Sequence, residues 1–140
     1  MSIVYYYARG GWRGTDFPIA PGDGLYLGIR ASFAWVLYGT DLNASLAFAL
    51  NPSPRANVDF VGLPLTGAYP MASSIVAALT ASRVTEIGLW DPTTQIAVRW
   101  YWTGTAWAGT DFLIEPGRGF YLVVASEFAW TPTLVTPAQP

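Results

Sequence analysis

Three acidic side chains, Asp91, Asp111 and Glu115, are the strongest candidates for chemistry in this sequence. Two carboxylates that flank one glycosidic bond can hydrolyse it, one as acid and the other as base or nucleophile. The other common catalytic devices lack parts. The chain has no His, no Cys and no Lys, so a hydroxyl nucleophile has no usual base beside it. The same absences remove disulfides and most zinc, copper and iron sites. Gly22 and Gly24 follow Pro21 and precede a strand-like run, whereas a phosphate-cradling glycine loop opens a helix.

Each acidic candidate also has a plainer role. Asp91 begins Asp-Pro-Thr-Thr, with Asp and Pro at the first two positions of a type I turn. Asp111 lies between Gly-Thr and an apolar run, where a short carboxylate accepts nearby backbone N–H groups in an Asx-turn. The expectation is a non-enzymatic chain with no cofactor and no metal.

Binding is the better use of this composition. The chain carries seven Trp and eight Tyr. Tyr5, Tyr7, Trp12, Trp100, Trp102 and Trp107 are the candidates for a protein interface or for stacking on a glycan. In Tyr5-Tyr-Tyr7 and Trp100-Tyr-Trp102, neighbouring rings on a strand point to opposite faces. One set enters a core and the other is offered outside. A small-ligand site built on Arg or Trp ranks third.

The elements that carry these residues form an internal repeat. At an offset of 95, Trp12-Arg-Gly-Thr-Asp-Phe17 falls on Trp107-Ala-Gly-Thr-Asp-Phe112. Ile19-Ala-Pro-Gly-Asp-Gly24 falls on Ile114-Glu-Pro-Gly-Arg-Gly119, and Phe33-Ala-Trp35 on Phe128-Ala-Trp130. Fourteen of the twenty-four positions from 12 to 35 are identical without a gap. Asp16 is thus the twin of Asp111, while Glu115 falls on Ala20. In both copies Pro-Gly-x-Gly reads as a tight turn, formed by Pro21, Gly22 and Gly24 and again by Pro116, Gly117 and Gly119. Pro presets φ at the second turn position and Gly supplies the positive φ of a type II turn. A strand then leaves each turn, Leu25–Ile29 or Phe120–Val124.

Between the copies, Ala44–Leu50 is a possible strand and Asn51-Pro-Ser-Pro54 a break. Val58–Leu65 reads as a strand closed by Pro64, and Gly67–Pro70 as a turn. One helix is expected at about 72–81, with Ser73 as N-cap and Ile75, Val76 and Leu79 on one face. Val84–Trp90 and Gln95–Trp102 form a hairpin that runs into the second copy.

These readings give a mainly β fold, an antiparallel barrel or sandwich with an internal pseudo-twofold repeat and one short helix. Residues 1–40 are a partial unit, 41–56 a linker with a possible strand, and 57–131 a complete module. Residues 132–140 form an extended tail, and the whole is one compact domain. The partial unit lacks the upstream half that precedes the second copy. Its apolar face is expected to close within the chain, or else against a neighbour.

Bulk composition narrows the partners. Hydrophobic residues make up 52% and charged residues 11%, enough apolar material for a core with some to spare for contacts. Net charge is -2 and the seven basic residues, all Arg, are scattered. A phosphate-neutralising patch is missing, so nucleic acid is not expected. The start, Met-Ser-Ile-Val-Tyr-Tyr-Tyr-Ala-Arg, lacks a signal-peptide pattern, and no apolar run is long enough to insert in a membrane as a helix. Self-association or contact with other structural proteins is expected, with carbohydrate as the alternative.

The chain also resembles a β-rich repeat of large bacterial and archaeal surface or secreted proteins. The resemblance rests on Val61-Gly-Leu-Pro-Leu65, Tyr69 with Ala72-Ser73, Ile87-Gly-Leu-Trp-Asp-Pro-Thr-Thr-Gln95, and Gly109-Thr-Asp-Phe-Leu-Ile-Glu-Pro-Gly-Arg-Gly-Phe-Tyr-Leu122. It covers about residues 57–131, with its terminal half again in 12–35. It implies a structural module without catalysis at an extracellular surface. Being short and without a signal, the chain also suits a virion component of decoration or fibre type, released by lysis; that step is analogy.

Overall fold

The computed structural model describes residues 4–25, 27–31, 47–50, 52, 58–62, 71–115 and 118–132. The fold is mainly β and antiparallel, with one short helix. The strands are β1 (Tyr5–Ala8), β2 (Gly11–Gly14), β3 (Phe48–Leu50), β4 (Val58–Val61), β5 (Val84–Asp91), β6 (Ile96–Trp102), β7 (Trp107–Gly109), β8 (Phe120–Val124) and β9 (Phe128–Trp130). The helix α1 spans Ala72–Leu79.

The main sheet has five strands in the order β4-β8-β5-β6-β7. Its order is linear, so the barrel alternative is overturned and the architecture is sandwich-like. Helix α1 and the β3–β9 ribbon contribute to one buried cluster with this sheet. Alternation assigns the faces. Phe120, Leu122 and Val124 of β8 are buried, while Tyr121 and Val123 point the other way. Val84 and Ile87 are three apart, which in a regular strand sends them to opposite faces. A register shift between Val84 and Glu86 adds one residue and returns both to the core.

Helix α1 buries Ala72, Ile75, Val76 and Leu79, an i, i+3, i+4, i+7 stripe. It stops two residues before the expected end, because Thr80 turns to φ +64 and its carbonyl accepts the N–H groups of Arg83 and Val84. Ser73 is not the N-cap. Met71 holds that position without a side-chain cap, and Ser73 is the second helical residue.

The β5–β6 hairpin closes on a four-residue loop, 92–95, shifted by one residue from the expected 91–94. The Asp91 carbonyl accepts the N–H of Gln95, which sits at φ +59 inside the loop, and Asp91 pairs with Ile96. Asp91 also holds the loop with its side chain, accepting the Thr93 N–H and the Thr94 hydroxyl, both at 2.8 Å. These bonds, that from Thr94 foremost, favour the ionised carboxylate and lower its pKa.

Residues 48–50 of the expected linker are a strand that pairs with β9 and sends Leu50 into the core. The strand expected at Leu25–Ile29 does not form; Leu25 and residues 27–29 have no strand pairing. Just before it, Asp23 forms an antiparallel bridge to Val61, and the Gly22 carbonyl accepts the Gly62 N–H at 2.8 Å. Its counterpart β8 is a strand because β4 and β5 take its backbone groups on both sides. Tyr26, Pro64, the turn at 67–70, Pro116, Gly117 and the tail from 133 lie outside the described residues, as do 32–46, 51 and 53–57.

Candidate functional site

The two repeated hairpins have the same geometry. Tyr5 pairs with Gly14, Tyr6 with Arg13 and Tyr7 with Trp12. At the offset of 95, Trp100 pairs with Gly109, Tyr101 with Ala108 and Trp102 with Trp107. Both strands end on a left-handed glycine, Gly14 at φ +104 and Gly109 at φ +106. The following N–H then returns across the hairpin, from Thr15 to the Val4 carbonyl at 3.2 Å and from Thr110 to the Arg99 carbonyl at 2.9 Å. A Cβ at either glycine would strike that same carbonyl oxygen, which explains the residue at both places.

The six aromatic candidates therefore divide into two equivalent triplets and do not form one site. Trp100, Trp102 and Trp107 are half-buried, with Trp100 and Trp107 packed on the core. Tyr5, Tyr7 and Trp12 are exposed, Trp12 most of all at 63%. The Tyr5 and Trp12 rings stack at 5.3 Å, 11° from parallel, and Tyr7 meets Trp12 edge-on at 5.6 Å. Trp100 and Trp107, packed on the core in one copy, have as twins Tyr5 and Trp12 of an open aromatic platform in the other.

The contrast continues along the chain. Ile19 is 61% exposed where Ile114 is 1%, Leu27 is 52% where Leu122 is 0%, and Ile29 is 59% where Val124 is 0%. In sequence the alternation of 25–29 copies that of β8, but Leu25, Leu27 and Ile29 are exposed. Ile19, Leu27 and Ile29 belong to the candidate face, and sequence reading limited to aromatic rings missed them. The signal was present, since each aligns with an apolar residue of the second copy.

The twin carboxylates differ as well. Asp111 was expected to hold its own turn. It instead accepts the Ser73 N–H at 2.9 Å on Oδ1 and the Ser73 hydroxyl at 2.6 Å on Oδ2, capping α1 from 38 residues away. The Ala72 N–H donates to the Phe112 carbonyl beside it, and Met71 bridges Leu113. Among the described residues no hydrogen bond reaches Asp16.

The turns are also placed. Asp23 N–H donates to the Ala20 carbonyl at 3.1 Å with Gly22 at φ +97, the geometry of a type II turn around Pro21. In the second copy Arg118 N–H donates to the Glu115 carbonyl at the same distance, and the two side chains form an exposed ion pair. Gly24 and Gly119 come together beside Val61, where a Cβ on Gly24 would collide with the backbone of β4.

Of the three carboxylates first considered for catalysis, Asp91 is bonded to its loop, Asp111 to the helix and Glu115 to Arg118. Among the described residues no group of three or more acidic side chains converges as a metal site would require. No described helix is long and apolar enough to cross a membrane.

The face of the main sheet opposite the core holds a second feature. Phe60, Trp90, Tyr121, Ala97 and Leu25 line an apolar groove of about 360 Å³. Tyr121 lies over Gly88, meets Phe60 edge-on at 6.2 Å and donates to Glu86 at 2.7 Å. Burial, reinforced by that bond, raises the Tyr121 pKa well above the ordinary phenol value. No family model, curated protein or solved structure matches this chain.

Proposed function

We propose that the chain is a non-enzymatic structural β module that assembles with copies of itself or with other structural proteins, on a virion or an extracellular surface. The observation that carries this reading is the open face of the first unit. Trp12, Ile19, Leu27 and Ile29 are exposed at positions whose twins are half-buried or buried. Exposed large apolar side chains in this number on one repeat unit suit an assembly contact. The sequence resemblance to surface repeats supports the setting. Size-exclusion chromatography with light scattering tests the reading: oligomers that dissociate when Ile29 becomes Asp are expected, and a monomer at all concentrations without affinity for particles refutes it.

Carbohydrate binding is the second reading, favoured by the near-parallel Tyr5–Trp12 platform and the aromatic groove at Trp90. Stacking on such rings would quench or shift tryptophan emission. A fluorescence titration with a glycan panel that gives no change at saturating sugar eliminates it.

A further inference from the structure

We infer that the open face of the first unit is an acceptor for a helix–strand segment of another polypeptide, built like this chain's own residues 71–91. The inference deepens the assembly reading and rests on it, because it specifies the chemistry of the partner.

The second unit supplies the template. There, residues 71–91 dock by four devices. Ser73 gives its N–H and hydroxyl to Asp111. Ala72 N–H bonds the Phe112 carbonyl. Ile75, Val76 and Leu79 join Ile114, Leu122 and Val124 in one core. Strand β5 pairs with β8 through Val84↔Val124, Ile87↔Leu122 and Gly88↔Tyr121.

Each acceptor group has its twin in the first unit. Asp16 stands for Asp111, the Phe17 carbonyl for that of Phe112, and Ile19, Leu27 and Ile29 for the three core residues. Pro18 replaces Leu113 at the bridge, but the bond there runs to the carbonyl one residue earlier, so a missing N–H is no obstacle. The β1–β2 hairpin already has the register of β6–β7. The acceptor is therefore preserved in sequence and in its hairpin, while among the described residues no helix or strand occupies the equivalent of α1 and β5.

The partner's chemistry follows. It is a short helix with a serine or threonine in its first turn, aimed at Asp16, followed by a strand of β-branched and aliphatic residues that adds beside Leu27 and Ile29. Strand addition of this kind gains affinity from main-chain bonds and specificity from alternate side chains. A second copy cannot satisfy every acceptor, since each chain offers two such faces and one donor segment, and its own second unit uses that donor.

The test uses the full chain and a synthetic peptide of residues 71–91. Saturable one-to-one binding by titration calorimetry is expected, with a change in tryptophan emission. Asp16→Asn should weaken binding by about tenfold or more, as expected for loss of charge-assisted hydrogen bonds. Ile29→Asp should abolish it. Ser73→Ala in the peptide should cost less in the Asp16→Asn background than in the parent, because the two changes remove one shared contact. No saturable binding overturns the inference, and so does binding indifferent to Ile29→Asp, which would mean exchange into the second unit. A chain that self-associates yet ignores the peptide loses this inference and keeps the assembly reading. A monomer that takes up the peptide in the expected way keeps this inference and rules out self-assembly.

Discussion

Asp111 takes both the backbone N–H and the hydroxyl of Ser73, thirty-eight residues earlier in the chain, at 2.9 and 2.6 Å, and so caps a distant helix. The helix has no side-chain cap of its own, since Met71 occupies the N-cap. A carboxylate also suits the positive end of the helix dipole. This one contact ties the repeated Gly-Thr-Asp-Phe motif to the element that covers the core.

Asp111→Ala should therefore destabilise the fold by about 1–2 kcal/mol, the range for losing a helix cap. Asp16→Ala, at the twin position, should fall within about 0.5 kcal/mol of the parent, as a surface substitution does. Urea unfolding of the two variants side by side checks the pair. Equal losses would show that both carboxylates serve a local turn.

Gly109 and Gly14 share one local constraint, but its cost should differ with what each hairpin packs against. Both have a left-handed φ, and a Cβ at either would meet the carbonyl oxygen that the next residue's N–H approaches. Gly109→Ala is expected to cost about 1–3 kcal/mol from backbone strain. Gly14→Ala should open the first hairpin locally, seen as faster amide exchange at Tyr5–Gly14 with the global midpoint little changed.

The contrast between the twins marks how far the sequence could be read. The helix was legible because Ile75, Val76 and Leu79 repeat at helical spacing, and the β5–β6 hairpin because Asp91-Pro92 separates two apolar runs. Local patterns of this kind need no knowledge of the rest of the chain. The Asp111–Ser73 cap, the β3–β9 pairing and the β4–β8 pairing join segments far apart in the chain, and no spacing rule predicts them. The open face was legible only in part. The alternation at 25–29 is that of a strand, but pairing needs neighbours, and among the described residues none pairs with Leu25 or 27–29 as β4 and β5 do with β8.

Gly88 should reject any side chain while Tyr121 is present. A Cβ there would collide with Tyr121 Cζ at the hydroxyl end of the ring, and the backbone at this position is central to the sheet. Gly88→Ala forces the ring aside and breaks its bond to Glu86, for a cost of about 1–3 kcal/mol from overpacking. Adding Tyr121→Ala should cost less in that background than in the parent, because the contact is already lost. Additive losses in a thermal-denaturation cycle would refute the packing argument.

Asp91 gives a pH dependence with a definite sign. Its hydrogen bonds from Thr94 and Thr93 hold the carboxyl below its ordinary value in the folded chain. Its contribution is complete above the unfolded value, near pH 4, and is lost as pH falls through the lower folded value. Carboxyl NMR should show a midpoint below the ordinary Asp value. Thr94→Val, which removes the hydroxyl that bonds the carboxylate most strongly, should move that midpoint upward. An unmoved midpoint would assign the shift elsewhere.

Leu27 and Leu122 give the sharpest comparison, since they are the same residue at the same repeat position in opposite surroundings. A charge at Leu122 would be buried without a partner among Ile87, Val61 and the helix, so Leu122→Asp should cost on the order of 4 kcal/mol or leave the chain unfolded. Leu27→Asp places the same charge on an open surface and should change the unfolding free energy of the isolated chain by no more than about 0.5 kcal/mol. The effect should instead appear in association, as lower apparent mass in light scattering at high concentration. If Leu27→Asp unfolds the chain as Leu122→Asp does, the first unit is covered internally and the assembly reading fails. If it leaves both fold and association untouched, the open face has no part in either.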